Sequence, residues 1–359
     1  MSWIAAIAGL AVLILLHEFG HFIVAKAVGM RVERFMLFFP PVIWKIKRGE
    51  TEYGIGMIPL GGYVKISGMN PREELPPEVR PRAYFRQKPW KRIVVILAGP
   101  VMNVIVAFAL FWGIFAIHGE PSDQVTHRVG SITAGSPVAD ILRPGDRLIA
   151  IDGVKGSPGV LRLQIGLHGC LTKPRDGCRG TPARLTYVRD GQVRHAVATP
   201  RFSAADHRPL LGFSFDTKVD DVGAGKAASD AVSGMWRVTK ASVSAIGRIF
   251  TSEKARKQVS GIVGITTTTS NAFGSDTVTA LFTLGIISLS LAIINLFPFL
   301  PLDGGHVFWA LAEKVRGRPI PFSVMERAGV IGFMLVILLF VIGLTNDIHR
   351  IQHRGFGVP

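Results

Sequence analysis

Charged side chains are scarce in this chain of 359 residues and are missing from long stretches of it. They make up only 18% of the sequence, against 48% hydrophobic residues, and the mean hydropathy is +0.35. This composition excludes an ordinary soluble protein. Crossing a bilayer takes a helix of about 20 residues, and apolar segments of about that length lie at 3–24, 93–117, 278–300 and 328–345. We therefore predict a polytopic α-helical membrane protein with four transmembrane helices.

Acidic residues are also few, with 25 Asp and Glu against 41 Lys and Arg, which gives a formal net charge of +16. In a soluble protein this excess would suggest nucleic-acid binding. Here the basic residues are spread over the whole chain and form no recognition motif. We therefore predict no nucleic-acid partner, and we attribute the charge to the lipid bilayer, whose anionic headgroups attract juxtamembrane Lys and Arg.

The basic residues indicate an orientation in the membrane. Residues 26–92 contain 14 Lys and Arg against 6 Asp and Glu, and residues 314–327 contain 4 against 1. Positively charged loops stay in the cytoplasm, so both loops are predicted to be cytoplasmic and both termini and the middle region extracytoplasmic. The first segment has no basic residue before its apolar run and no small-residue cleavage site after it. We expect it to be retained rather than removed as a signal peptide.

Cysteine is almost absent, since Cys170 and Cys178 are the only two. Both lie in the predicted extracytoplasmic region, where a disulfide that closes this small loop is favoured over two free thiols. They are too far from any histidine pair to suggest a zinc site.

The first apolar segment contains the sequence His17-Glu18-Phe19-Gly20-His21. Two histidines four residues apart lie on one face of a helix, so both imidazoles can bind the same metal ion. This is the H-E-x-x-H pattern of zinc hydrolases, in which the glutamate is the general base. The alternative is a chance match with structural histidines. Inside a membrane span, three ionisable groups within five residues would each need a partner, which favours the metal site.

The third apolar segment ends at a helix-breaking sequence with Asn295, Pro298, Pro301 and Asp303, followed by two glycines. Such a sequence cannot continue a helix, and a broken helix at membrane depth is expected to line a cavity. Asp303 is the only acidic residue in 277–312. We predict that it is the third metal ligand, because catalytic zinc uses three protein ligands. An ion pair with an arginine and a helix-capping role are the alternatives.

Two further patterns lie near these motifs. Residues 50–66 predict β structure, with alternating apolar residues and a turn at Gly61-Gly62. Such a hairpin can offer its edge to an extended peptide, or it is a surface hairpin on the cytoplasmic face. In the second apolar segment, Gly99 and Asn103 share a helix face, which favours close packing of a neighbouring helix and one hydrogen bond across it.

Residues 127–200 predict a soluble domain with α and β elements. Ser136-Pro137 predicts the start of a short helix, and Asp190-Gly191 predicts a hairpin between two strands. The pattern resembles the permuted PDZ domains of bacterial proteases, whose edge strand and helix bind extended chain ends. Residues 227–265 predict a basic amphipathic helix, which lies on the membrane surface or packs against that domain.

Together these motifs resemble the site-2 protease family of intramembrane zinc metalloproteases. The resemblance covers nearly the whole chain and rests on H-E-x-x-H, on the G-x-x-x-N of 99–103, on the PDZ insert and on the N-x-x-P-x-x-P-L-D-G of 295–304. It implies a bacterial inner-membrane enzyme that cleaves single-span membrane proteins, such as anti-sigma factors and signal-peptide remnants. It implies one Zn²⁺ held by His17, His21 and Asp303, with Glu18 as the general base. The substrate contacts that it implies or suggests are Asn295, Pro298, Gly61, Gly62, Tyr63 and Asn103.

The predicted fold is therefore a four-helix membrane protein with a membrane-associated β-hairpin and an inserted extracytoplasmic α+β PDZ domain. Family members from enteric bacteria have two PDZ domains, whereas this chain has room for one, and its PDZ ligand is not predicted. The predicted order is a first transmembrane helix (1–26), the hairpin region and cytoplasmic loop (27–91), a second helix (92–117), the PDZ domain (118–205), an amphipathic helical segment (206–277), a broken third helix (278–312), a cytoplasmic loop (313–327) and a fourth helix with a tail (328–359).

Two other functions fit part of the sequence. A broken helix with a midspan carboxylate also suits an ion-coupled transporter, but this predicts inverted repeats, which we do not find. A membrane-tethered PDZ adaptor without catalysis predicts that Glu18 can be replaced without effect.

Overall fold

The computed structural model describes residues 2–70, 72–133, 135–170, 175–204, 206–220, 222–318 and 320–353; residues 354–359 of the predicted tail lie outside them. The chain forms two compact units. We call Met1–Ile117 with Gly223–Pro359 the helical unit, and His118–Val222 the β-sheet unit.

The elements in chain order are α1 (Ser2–Ala27), β1 (Val32–Arg48), β2 (Thr51–Ile66), α2 (Pro89–His118), β3 (Glu120–Ile132), β4 (Arg147–Ile151), β5 (Val154–Lys155), α3 (Pro158–Gly166), β6 (Ala183–Arg189), β7 (Gln192–Ala198), β8 (Arg201–Ser203), β9 (Arg208–Leu210), β10 (Phe213–Asp220), α4 (Ala224–Thr251), α5 (Glu253–Gln258), α6 (Ile262–Ser275), α7 (Thr277–Asn295), α8 (Asp303–Arg316) and α9 (Phe322–His353). Among them α1, α2, α7 and α9 are long and apolar enough to cross a membrane. The four predicted apolar segments are thus helical.

Helices α1 and α2 pack closely at two glycines. A Cβ on Gly20 would lie 2.4 Å from the carbonyl oxygen of Ala98, and one on Gly99 would lie 2.2 Å from Nε2 of His21. No other residue fits at either position, because small residues are what allow helices in membranes to approach closely. The predicted packing role of Gly99 therefore has a specific partner, the imidazole of His21.

The hairpin differs from the prediction in its turn. Strand β2 continues through Gly61-Gly62, and β1 and β2 are joined at Gly49, which has a φ of 59°. Residues 34–37 lie between two parts of β2, opposite 52–55 on one side and 62–65 on the other. Gly62 is required for close approach rather than for a turn, because a Cβ there would lie 2.9 Å from Cγ of Glu18.

An ion-pair network fixes the hairpin to the end of α1. The Arg82 guanidinium donates hydrogen bonds of 2.6 and 2.8 Å to the Glu50 carboxylate, and its Nε donates to the carbonyl of Gly29. Lys26 Nζ lies 3.4 Å from the same carboxylate. A bidentate Arg–carboxylate pair has a defined geometry, so this network sets the position of the hairpin turn.

The third apolar segment is broken as predicted. Helix α7 ends at Asn295 and α8 begins at Asp303, and the intervening residues form turns. A Cβ on Gly304 would lie 2.2 Å from the carbonyl oxygen of Leu296, so α8 packs directly against the chain before it. The Arg92–Glu313 ion pair, which is largely shielded from solvent, joins α8 to the beginning of α2.

The β-sheet unit contains a sheet with the strand order β10-β3-β4-β6-β7, and β5 pairs with β4. Its buried core includes Val129, Leu148, Ile151, Leu161 and Leu185. A disulfide joins Cys170 to Cys178, with the Cα atoms 5.9 Å apart.

The helix predicted at Ser136 is wrong. Residues 135–142 form turns, and the helix of this unit, α3, begins after Ser157, whose hydroxyl accepts a hydrogen bond from the Val160 amide. Both places carry Ser-Pro, which suits a helix start. The difference is that Pro144 leaves fewer than two turns after Ser136, whereas no proline interrupts α3.

The predicted boundary at residue 205 also differs from the structure. Residues 213–220 form β10, which pairs with β3, rather than part of a helical segment. Phe213 and Phe215 alternate along β10 and pack on the core of the β-sheet unit. The unit therefore extends to Val222 and the amphipathic helix α4 begins at Ala224.

The structure predicts an acid-sensitive ion pair in the β-sheet unit. Asp146 is 3% exposed, and its carboxylate accepts hydrogen bonds of 2.8 and 2.7 Å from Arg189 and one of 2.7 Å from the Arg143 amide. Burial raises the pKa of the Asp146 carboxyl, but these donors outweigh burial and hold the pKa below its ordinary value of 3.8. The stabilisation is complete above that value and is lost as the pH falls through the lower pKa of the folded state.

We therefore expect Asp146→Asn to lower the free energy of unfolding of residues 118–222 by about 2–3 kcal/mol at pH 7. The difference from wild type should shrink at pH 2.5. Urea unfolding followed by circular dichroism measures both values, with Asp140→Asn as the control, since Asp140 is exposed. An equal difference at both pH values would contradict the expectation.

Candidate metal centre

Three side chains that can bind a metal meet inside the helical unit. His17 and His21 come from α1, and Asp303 is the first residue of α8. The two Nε2 atoms are 3.3 Å apart, and each lies 3.3 Å from Oδ2 of Asp303. Each histidine is only 7% exposed. The three donor atoms therefore form a triangle with equal sides.

This triangle fits one zinc ion. Zinc binds imidazole nitrogen and carboxylate oxygen at about 2.0–2.2 Å, so neighbouring ligands of a tetrahedral ion lie about 3.3–3.5 Å apart. Oδ2 of Asp303 is buried, and within the described ranges its only close polar neighbours are the two imidazoles. A buried carboxylate oxygen without another donor needs a cation. Two histidines and one carboxylate also make a donor set that catalytic zinc uses.

The ring of His21 is fixed by α2. Its Nδ1 lies 2.9 Å from the carbonyl oxygen of Val95, and its other face fills the space that Gly99 leaves open. A carbonyl can only accept, so Nδ1 carries the proton and the lone pair of Nε2 is directed at Asp303.

Two asparagines contact His17. Nδ2 of Asn103 lies 3.0 Å from Nδ1 of His17, and Nδ2 of Asn295 lies 3.5 Å from Nε2. Asn103 is fully buried, behind the ring and away from any open surface. Asn295 is half-buried at the end of α7, and Pro298 is exposed in the break that follows.

Glu18 lies between the imidazoles and the hairpin. The Val64 amide donates a hydrogen bond to its carboxylate, and Gly62 lies against its side chain. Of the residues predicted on the hairpin, Gly62 is thus brought to Glu18. The ring of Tyr63 stacks on Phe39 at 5.9 Å, and Gly61 also lies next to that ring.

Sequence reasoning missed two residues of the centre. One is Gly99 as the position that accommodates the His21 ring. The other is His306, which follows Asp303 by one turn of α8 and lies within electrostatic range of Asp303 and His21. The spacing of three residues, which puts both side chains on one helix face, is the signal that would have identified His306.

Comparison with known proteins gives similar chains from several bacteria. The chain is 31% identical over 350 residues to a putative zinc metalloprotease of Nostoc sp., covering 94% of this chain and 93% of the relative. It is 30% identical to zinc metalloprotease Rip1 of Mycolicibacterium smegmatis, covering 89% and 87%. It is 28% identical to the regulator of sigma-E protease RseP of Salmonella typhimurium, covering 97% and 98%.

One solved structure, the PDZ domain of an SdrC-like protein from Listeria monocytogenes, aligns with 27% of this chain and 90% of that chain. The identity is 20% and the TM-score is 0.21, which is too low to assign a fold to the β-sheet unit.

The family comparison covers most of the chain. The model of peptidase family M50 matches residues 5–339, and the relatives are named as zinc metalloproteases. The match confirms the predicted family and with it the prediction of a zinc metalloprotease that acts within the membrane. This chain belongs to peptidase family M50, the site-2 metalloproteases.

Proposed function

We propose that this chain is a zinc metalloendopeptidase (EC 3.4.24.-) that binds one Zn²⁺ through His17, His21 and Asp303 and cleaves single-span membrane proteins within their membrane segments. The observation that carries the proposal is the triangle of donor atoms with 3.3 Å sides among helices of membrane-spanning length. An ion-coupled transporter or a non-catalytic adaptor gives no reason for this geometry next to Glu18.

In this proposal the chemistry is divided between the metal and Glu18. Bound zinc supplies a Lewis acid that polarises a peptide carbonyl and lowers the pKa of water. The Glu18 carboxylate takes a proton from the attacking water and later gives it to the leaving amide nitrogen. The Val64 amide orients that carboxylate through its hydrogen bond.

The substrate has to be unwound before it can react, because a helix protects its carbonyls with internal hydrogen bonds. The part of β2 at 62–65 pairs with 34–37 on one side and lies next to Glu18. An extended substrate that adds to the other side of this strand regains the hydrogen bonds that unwinding removes. We assign substrate contacts to Gly61, Gly62 and Tyr63 on this strand and to Asn295 and Pro298 at the helix break.

The relatives and the sequence support further parts of the proposal. The name of the Salmonella relative, regulator of sigma-E protease, suggests anti-sigma factors as substrates, and signal-peptide remnants are a second class of short single-span protein. The basic loops support a location in the bacterial inner membrane with both termini and the β-sheet unit outside the cytoplasm. We propose that this unit is a PDZ domain, on the basis of its sequence pattern and of the edge strand β10.

The general-base role of Glu18 is tested by Glu18→Gln. We expect cleavage of a single-span substrate in reconstituted vesicles to fall at least about 100-fold, because the amide cannot take the proton, while zinc binding is retained. Glu253→Gln, a change at an exposed glutamate of α5, is the matched control and should cleave like wild type. Cleavage by Glu18→Gln at the wild-type rate would support the non-catalytic adaptor instead.

The metal site is tested by Gly99→Ala. The added methyl group would overlap the His21 ring, so we expect the affinity for zinc to fall at least about tenfold. Gly113→Ala changes the same helix at a position where a methyl group meets nothing within 4 Å, and it should bind zinc like wild type. Metal content by mass spectrometry, after dialysis against a zinc buffer, measures both. Equal zinc content in the two variants would count against the assigned site.

Strand addition is tested by cross-linking. The two natural cysteines form a disulfide, so Tyr63→Cys in the Glu18→Gln protein introduces a single free thiol. Substrates with one cysteine at successive positions should cross-link at every second residue, because side chains of a strand alternate between faces. Ile43→Cys, on the exposed part of β1, is the control and should not give this pattern. A period of 3.6 residues would show that the substrate binds as a helix.

A further inference from the structure

The hydrogen bonds of His21 define what a metal-binding histidine needs at this centre. Its Nδ1 donates to the backbone carbonyl of Val95, which leaves Nε2 as the nitrogen with a free lone pair. That lone pair faces Asp303. A second histidine that binds the same ion through Nε2 needs an acceptor at its own Nδ1.

His17 has a different set of neighbours. The amide nitrogen of Asn103 lies 3.0 Å from Nδ1, and that of Asn295 lies 3.5 Å from Nε2. A neutral imidazole has one donor and one acceptor nitrogen, so it cannot accept hydrogen bonds from two amide nitrogens. At least one of the two amides therefore presents its oxygen to the ring.

Asn103 is the amide whose rotation resolves the conflict. Its Oδ1 is buried and has no hydrogen-bond partner among the described residues. Turning the amide by 180° exchanges Oδ1 and Nδ2 and puts the oxygen 3.0 Å from Nδ1 of His17. His17 then has the same pattern as His21, with a proton on Nδ1 and a lone pair on Nε2.

We propose that Asn103 is a positioning residue that accepts the Nδ1–H hydrogen bond of His17 on its amide oxygen and thereby holds the Nε2 lone pair toward Asp303. The inference rests on the proposed zinc site and deepens it. It replaces the substrate contact implied for Asn103 by a role behind the ring, in agreement with complete burial.

The surroundings of Asn103 suit this role. It follows Gly99 by one helical turn, so one face of α2 serves both histidines: Gly99 makes room for His21, and Asn103 bonds to His17. The hydroxyl of Ser288 on α7 donates a hydrogen bond of 2.9 Å to the backbone carbonyl of Asn103. This bond holds the backbone from the other side, so the amide has little freedom other than rotation about its own axis.

The test compares Asn103→Asp with Asn103→Leu in the full chain. Leu keeps the shape of the side chain but removes the acceptor, so we expect zinc to dissociate about 10–100 times more readily, the usual effect of losing such a support. Asp keeps an acceptor oxygen and should bind zinc within about threefold of wild type. Competition with a zinc chelator in detergent measures these affinities without reference to activity. Should Asn103→Leu aggregate, Asn103→Ala takes its place with the same expected loss.

The opposite order of affinities would overturn the inference. If Asn103 only packs α2 against α1, then Leu binds zinc like wild type, and Asp is the damaging change because it buries an unpaired carboxylate. Ser288→Ala is the matched control, since it removes a buried hydrogen bond of the same helix turn without touching a histidine, and its zinc affinity should equal that of wild type.

Failure of the inference is distinct from failure of the proposed function. Wild-type zinc binding together with Glu18-dependent cleavage and an unaffected Asn103→Leu variant would remove only the role of Asn103. A wild-type chain that binds no zinc would remove the proposed metal site itself.

Discussion

The close approach of α1 and α2 is the contact on which the metal centre depends. Gly20 lets the backbones meet at Ala98, and Gly99 leaves the space in which the His21 ring lies. With larger residues at these places the helices would separate, and the imidazoles would lose both Val95 and Asn103 as partners. The orientation of the rings is therefore set by a neighbouring helix and not by α1 alone, in which the side chains would be free to rotate.

The other parts of the centre are held from outside the four long helices. Arg92 and Glu313 join α2 to α8, whose first residue is Asp303. Arg82 binds Glu50 at the turn between β1 and β2, and this hairpin carries Gly62 to Glu18. Ion pairs near the ends of the helices thus position groups that lie deeper in the structure. Within an apolar core there are few polar contacts to do so, which gives these pairs their importance.

The centre was more predictable from the sequence than the fold around it. The spacing of His17 and His21 needs only helix geometry, and Asp303 stood out because no other acidic residue lies near it in the sequence. The position of Gly61-Gly62 within a strand was not predictable, because glycine favours turns but is also required where a side chain such as Glu18 approaches closely. That second reason depends on residues more than 40 positions away in the chain.

The β-sheet unit ends where it begins. Strand β10, its last, pairs with β3, its first, so that Asp220 lies opposite Glu120. A module whose two ends are neighbours can be exchanged, lost or followed by a second copy without altering the distance between the segments that flank it. Relatives with a longer middle region can thus keep the same catalytic framework, since this connection isolates changes in the module from the helices before and after it.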